Sequence, residues 1–245
     1  MGRKRNQIFE MTSLATKIRD IATQLYGNTP GTYLEAGAND GLSSSNTYAL
    51  ELLGWTGILV EPSSVAFEKL EATRPSNILI RRALSSGLRN TVTGTFSSGS
   101  LTASASPGLY HRDPKRYQIR GISRLSRVVG LNRHSALKVV QATTLDSILG
   151  EHLSTRLDLL VLDVEGLELE ALLGLQRFRP RIIILETRKE DSLAIAAELL
   201  DMGYACAANL SGFSKTEFPA WTEDHQDFGW CLKNDVEAIQ VLSNL

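Results

Sequence analysis

Two short, nearly unbroken aliphatic runs, Leu157–Leu162 and Arg181–Leu185, constrain this chain more than any other feature of its sequence. Strands that alternate apolar and polar residues cover one face of a core, whereas continuous runs belong to strands buried on both faces, as in a parallel sheet sandwiched by helices. These two runs therefore belong at the centre of a sheet. Thr32–Ala36, Gly57–Glu61, Asn77–Ala83, Tyr204–Ala207 and Phe228–Lys233 read as its other strands, with helical apolar spacing at 43–53, 63–73, 167–173 and 192–202 between them. The alternation predicts an α/β fold: an open, doubly wound, mostly parallel seven-stranded sheet rather than a closed eight-fold barrel.

Upstream, Met11, Leu14, Ile18, Ile21 and Leu25 recur at spacings of three and four, so residues 1–30 read as a helical extension that caps the sheet or pairs two chains as a homodimer. Residues 31–245 then form one domain. Its irregular stretch, about 84–136, is rich in Ser, Gly and Arg and reads as an insertion after the third strand that serves as a lid. Residues 109–138 carry eight Lys or Arg against Asp113 alone, a local charge of +7 on a chain whose 26 basic and 27 acidic residues nearly cancel. The overall balance argues against a general nucleic-acid or membrane-surface binder, and only Tyr110 and Tyr117 interleave with the basic residues, which disfavours base stacking. The local excess fits either a solvated lid or an anionic acceptor gripped by guanidinium groups.

No apolar run approaches the ~18 residues of a membrane span. Glu10, Lys17, Arg19 and Asp20 interrupt the N-terminal apolar pattern, which argues against a signal peptide. Cys206 and Cys231 have neither metal-finger nor disulfide-framework spacing, consistent with a reducing, cytoplasmic setting.

In an open parallel sheet, ligands bind beyond the carboxyl ends of the strands. The first strand runs into Glu35-Ala-Gly37-Ala38-Asn39-Asp40-Gly41, whose glycines allow a tight turn and close backbone approach. The second ends in Glu61-Pro62, twenty residues beyond Gly41, where an acidic side chain can reach ribose hydroxyls. Arg82-Ala83 ends the third. Asp163, Glu165 and Glu168 follow the first aliphatic run and Glu186 the second, carboxylates placed to hold a substrate hydroxyl or a divalent cation such as magnesium. A nicotinamide-dependent oxidoreductase would share such a sheet, but the G-x-G-x-x-G pattern is missing. A donor-binding module without catalysis is the other alternative.

Three blocks together resemble the FkbM-type methyltransferases: Tyr33-Leu-Glu35-Ala-Gly37-Ala-Asn39-Asp40-Gly41 with Ser45-Asn-Thr47, Leu53-Gly-Trp55-Thr-Gly57-Ile-Leu-Val-Glu61-Pro62, and Thr143-Thr-Leu-Asp146 followed by Leu162-Asp163-Val-Glu165-Gly166-Leu-Glu168. Glu35 departs from the Asp that the family commonly has there. The resemblance implies a Rossmann-like class I methyltransferase that uses S-adenosylmethionine to methylate a hydroxyl of a sugar or glycan. It implies that Glu35, Gly37, Ala38, Asn39, Asp40 and Gly41 wrap the methionine part of the donor. Glu61 and Pro62 would meet the ribose, Arg82 and Ala83 the adenine, and Asp163 the reaction centre. General-base candidates are Asp163, Glu165, Glu186 and His225; near His225, Trp221 is placed to stack on a sugar and Asp224 or Asp227 to take hydroxyl hydrogen bonds.

Overall fold

The computed structural model describes residues 12–43, 45–97, 100–103, 137–153, 156–211 and 225–245. Their strands are β1 (Thr32–Ala36), β2 (Thr56–Val60), β3 (Ile78–Ile80), β4 (Ala83–Leu84), β5 (Thr91–Ser97), β6 (Ser100–Ala103), β7 (Leu137–Thr143), β8 (Leu159–Leu162), β9 (Ile182–Arg188), β10 (Tyr204–Asn209) and β11 (His225–Leu232). Their helices are α1 (Ser13–Tyr26), α2 (Tyr48–Leu52), α3 (Ser64–Thr73), α4 (Leu145–His152), α5 (Glu168–Leu173), α6 (Ser192–Asp201) and α7 (Val236–Ser243).

Seven strands form the main sheet in the order β3-β2-β1-β8-β9-β11-β10, with β11 antiparallel to both neighbours and every other pair parallel. The two aliphatic runs, β8 and β9, are central as expected. Side chains alternate between the two faces. Leu34, Leu160 and Ile183 meet α4, α5 and α6 on one face, and Tyr33, Val161 and Ile184 meet α1, α2, α3 and α7 on the other. Ile18, Ile21 and Ala22 spend the apolar stripe of α1 on this second face, so that helix caps the sheet within its own chain.

Three expectations are corrected. The helix expected from 43 begins only at Tyr48, because buried Glu35 draws the preceding turn inward by accepting from the Asn46 N–H and the Thr47 hydroxyl. The strand expected over 77–83 is two: β3 stops at Ile80, a turn closes from the Arg82 N–H to the Ile80 carbonyl, and β4 joins another sheet. That second sheet, in the order β4-β7-β5-β6, occupies part of the stretch read as irregular. Its Val92 and Val140 pack with Leu167, so weak apolar alternation suffices once a hydrophobic neighbour is supplied. Residues 104–136, most of the basic segment, lie outside the described residues.

The chain steps from β1 through β2 to β3 at one edge, then returns by way of the second sheet to β8 on the other side of β1. The strand order reverses between β1 and β8, and at this switch point the crevice opens in which ligands of such sheets bind.

Candidate active site

A cavity of about 260 Å³ lies at the switch point. Gly37, Ala38, Asn39 and Ser43 come to it from the turn after β1, Val60, Glu61 and Pro62 from β2, Arg82, Ala83 and Leu84 from the β3–β4 link, and Asp163, Val164, Glu165 and Leu167 from the loop after β8. The structure thus brings together most of the residues expected to face a donor.

Glu61 is the best-held of them. It is 4% exposed, one carboxylate oxygen accepts from the Asn39 N–H at 2.9 Å, and the other accepts from the Ser63 N–H at 2.7 Å. Burial pushes its carboxyl up to about 7 against the pull of those two N–H groups. Ser63 caps α3 through its own hydroxyl, so Glu61 does not serve as the cap itself. Asn39 takes a positive φ of 50°, which turns its N–H toward Glu61.

Glu35, Asp40 and Gly41, expected against the donor, do not line the cavity. Glu35 points to the α2 side, where both oxygens are used by Asn46 and Thr47. Asp40 ties the turn by accepting from the N–H groups of Leu42 and Ser43. At Gly41 a side chain would collide with Leu70, Thr73 and Arg74 of the α3 region. All three shape the turn from behind. A residue missed in the sequence supports them: Arg74, 0% exposed, donates to the Gly41 carbonyl at 3.1 Å, the Ser45 hydroxyl at 3.3 Å and the Tyr33 hydroxyl at 2.6 Å, and pairs with Glu51.

Strand register carries the site further. Val60, Ala36, Leu162 and Leu185 lie abreast on four adjacent strands, so the next positions, Glu61, Gly37, Asp163 and Glu186, form a transverse row, and Asp227 is paired with Glu186 on β11. Four carboxylates thus cross the carboxyl end of the sheet in line, interrupted by the one residue without a side chain. Asp163 is held well above the usual carboxylate range by burial and by the neighbouring charges of Glu186, Glu165, Glu168 and Asp227. No described residue gives its carboxylate a hydrogen bond. Burial and Glu186 push Asp227 up to about 6.

Glu186 and His225 do not line the cavity; Glu186 continues the row beside Asp163, and His225 Nδ1 lies 3.3 Å from one of its oxygens. Glu168 closes the loop after β8 by accepting from the N–H groups of Val164 and Gly166. Asp227, expected in a loop as an acceptor of hydroxyl hydrogen bonds, lies instead on β11, in the alternation Asp227, Gly229, Cys231. Trp221 and Asp224 lie outside the described residues. Among the described residues no three His, Cys, Asp or Glu side chains are grouped to hold a metal ion, so the Asp163 and Glu186 pair lacks a third ligand of that kind.

The model of the Methyltransferase FkbM domain matches residues 35–206, which span β1 to β10 and every wall of the cavity. The chain belongs to the FkbM methyltransferase family. It is accordingly an S-adenosylmethionine-dependent methyltransferase, and the nicotinamide alternative falls away. No curated protein matches the sequence. Solved structures similar to it include a TehB-like SAM-dependent methyltransferase from Corynebacterium glutamicum, 11% identical over 90% of this chain and 88% of that one with a TM-score of 0.44. Another is the plantazolicin methyltransferase BpumL in complex with a triazolic desmethylPZN analog and SAH, 11% identical over 91% and 85% with a TM-score of 0.41. No helix among the described residues is long and apolar enough to cross a membrane.

Proposed function

We propose that this chain is an O-methyltransferase acting on a hydroxyl of a sugar or glycan. The observation that carries the reading is the transverse row in which Glu61, Asp163, Glu186 and Asp227 run from the donor cavity toward β11. When bound, S-adenosylmethionine supplies an electrophilic methyl group on a cationic sulfur that departs with the bonding electron pair.

The residues present fit that donor. Glu61 keeps lone pairs for the two ribose hydroxyls while its two backbone bonds fix its direction. Gly37, Ala38 and Asn39 offer backbone to the methionine part, and Arg82 with Ala83 borders the adenine. The carboxylates favour a positively charged sulfonium. On the acceptor side, a sugar hydroxyl is a weak nucleophile until its proton has somewhere to go. Asp163 takes that proton as the oxygen bonds the methyl carbon: its carboxylate has no described hydrogen bond and its proton affinity is already high. Glu186 beside it shares the load. Alignment of the two reacting atoms supplies much of the rate.

The test is incubation of the full chain with tritium-labelled donor and neutral glycans, followed by analysis of the methylated product. A base-stable methyl ether formed with stoichiometric S-adenosylhomocysteine is expected. Label appearing only in base-labile esters or in amines overturns the reading.

A further inference from the structure

Among the described residues, two buried nitrogens beside the carboxylate row have no hydrogen-bond partner: Nε of Arg188 and Nδ1 of His225. They belong to residues directly opposite each other on β9 and β11, one pleat above the Glu186 and Asp227 pair and on the same face of the sheet. The 3.3 Å separation between Nδ1 of His225 and Glu186 is within ion-pair range, yet the two are not aligned as a hydrogen bond. Arg188 has five N–H donors and places one, on Nη2, against a Glu165 oxygen at 3.3 Å. Buried polar nitrogens left unpaired are a cost to the fold, and where they cluster beside a cavity wall a ligand is the natural recipient.

The loop after β8 is shaped around this guanidinium. Glu165 and Gly166 take consecutive positive φ values of 55° and 96°, and a Cβ on Gly166 would lie 2.9 Å from Arg188 Nη1. A non-glycine residue in that region marks strain held in place by its surroundings. The same loop carries Asp163 and Glu165 into the donor cavity, so Arg188 touches the cavity wall from the β9 side.

We propose that Glu165, Arg188, His225 and Glu186 form the acceptor subsite and that they recognise a neutral vicinal diol next to the hydroxyl that is methylated. The assignment rests on the O-methylation reading above. A hydroxyl both donates and accepts. Two adjacent hydroxyls can accept from Arg188 and His225 while donating to Glu165 and Glu186, which gives both unpartnered nitrogens beside the row a recipient. The charge pattern of the described residues disfavours the main competitors. Among the described residues, a phosphate, sulfate or carboxylate at this position meets Asp163, Glu165, Glu186 and Asp227 against the Arg188 guanidinium, and like charges repel. An amine pairs with the carboxylates but leaves the Arg188 donors unspent. The subsite thus favours a neutral acceptor, in contrast to the anionic one that the basic sequence at 109–138 suggests.

The experiment uses the full chain, tritium-labelled S-adenosylmethionine and methyl glycosides of the common hexoses. These are compared with their phosphates, with the corresponding uronates, and with deoxy analogues that lack one hydroxyl of a diol. S-Adenosylhomocysteine binding is measured in parallel by calorimetry. Neutral diols are expected to be methylated in preference to the anionic forms. Arg188→Ala and His225→Gln are expected to raise the acceptor KM by about tenfold or more and to leave S-adenosylhomocysteine affinity within about twofold. Arg188→Gln, which keeps an amide donor, is assayed beside the alanine variant. Should neither Arg188 variant fold, the wild-type chain decides through the deoxy analogues, whose KM should rise to a similar extent. A preference for phosphates or uronates, an unchanged KM in folded Arg188→Ala, or deoxy analogues used as well as the diols overturns the diol assignment and leaves O-methylation standing. Transfer to no hydroxyl in the panel, with S-adenosylhomocysteine still bound, overturns both.

Discussion

A Cβ atom on Gly37 would overlap the backbone carbonyl of Asp163. The ends of β1 and β8 approach so closely at the switch point that only glycine fits between them, and the φ of +90° at Gly37 excludes larger residues on a second count. The gap also leaves Glu61 and Asp163 on either side of an open position in the row.

Gly37→Ala is therefore expected to cost at least about 2 kcal/mol of folding free energy, from the backbone strain plus the parting of two strands, and to abolish donor binding. Urea unfolding and calorimetry with S-adenosylhomocysteine measure the two effects. Stability within about 0.5 kcal/mol of the parent would show that the strand ends separate freely.

Glu61 links donor binding to pH. Its folded carboxyl sits at about 7, raised from 4.5 by burial, so the stabilisation it contributes is fully present below 4.5 and is lost as pH rises through about 7. In the ligand-free protein, Glu61→Gln should flatten that part of the stability curve. Wild-type affinity for S-adenosylhomocysteine should strengthen across the upper part of the same window, as the carboxylate that accepts from ribose forms. Above it, Glu61→Gln should weaken binding by roughly 1–3 kcal/mol. A pH-independent affinity in the wild type would remove Glu61 from the ribose.

Much of this site is legible along the chain, because β1, β2 and β8 each end in a motif a few residues long. Register is not. Glu61, Asp163 and Glu186 are distant in sequence and meet only because the parallel strands β2, β1, β8 and β9 are in register, and antiparallel β11 sets Asp227 opposite Glu186. The run Ile182, Ile184, Glu186, Arg188 does keep a period of two, and continuing it past the apolar residues places Arg188 on the site face. Glu35 shows the converse. Its motif was readable, but its direction depends on the α2 turn, which withdraws it from the cavity. Arg74 gave no signal, since an arginine at a helix end ordinarily faces water.

Arg74 should be among the costliest positions in the donor half. Replacing it with Met removes the partner of Glu51 and the donors to Gly41, Ser45 and Tyr33, leaving buried acceptors unpaired. A loss of about 3–5 kcal/mol in chemical denaturation is expected. Weaker donor binding should accompany it, since the turn from Gly37 to Ser45 loses its anchor. Arg74→Lys should recover only part of the stability, because an ammonium lacks the planar fork that spans those partners. Full rescue by Lys would show that charge alone matters there.

Asp163 separates binding from chemistry. Burial and four neighbouring carboxylates raise its proton affinity well above the unfolded value near 3.8, so its ionised form works against the fold, and the stability present below 3.8 is lost as pH rises through the raised value. Asp163→Asn removes that ionisation and keeps the shape. The ligand-free variant should therefore be at least as stable as the parent at alkaline pH. Methyl transfer should fall by roughly 10²- to 10⁴-fold, the usual contribution of a proton acceptor in the transition state. S-Adenosylhomocysteine carries no sulfonium charge, so its affinity should change little, whereas S-adenosylmethionine should lose somewhat more. Glu186→Gln provides the comparison. If it lowers turnover as severely as Asp163→Asn, the two carboxylates act as one proton-accepting unit, and if Asp163→Asn leaves turnover intact, the proton goes elsewhere in the row.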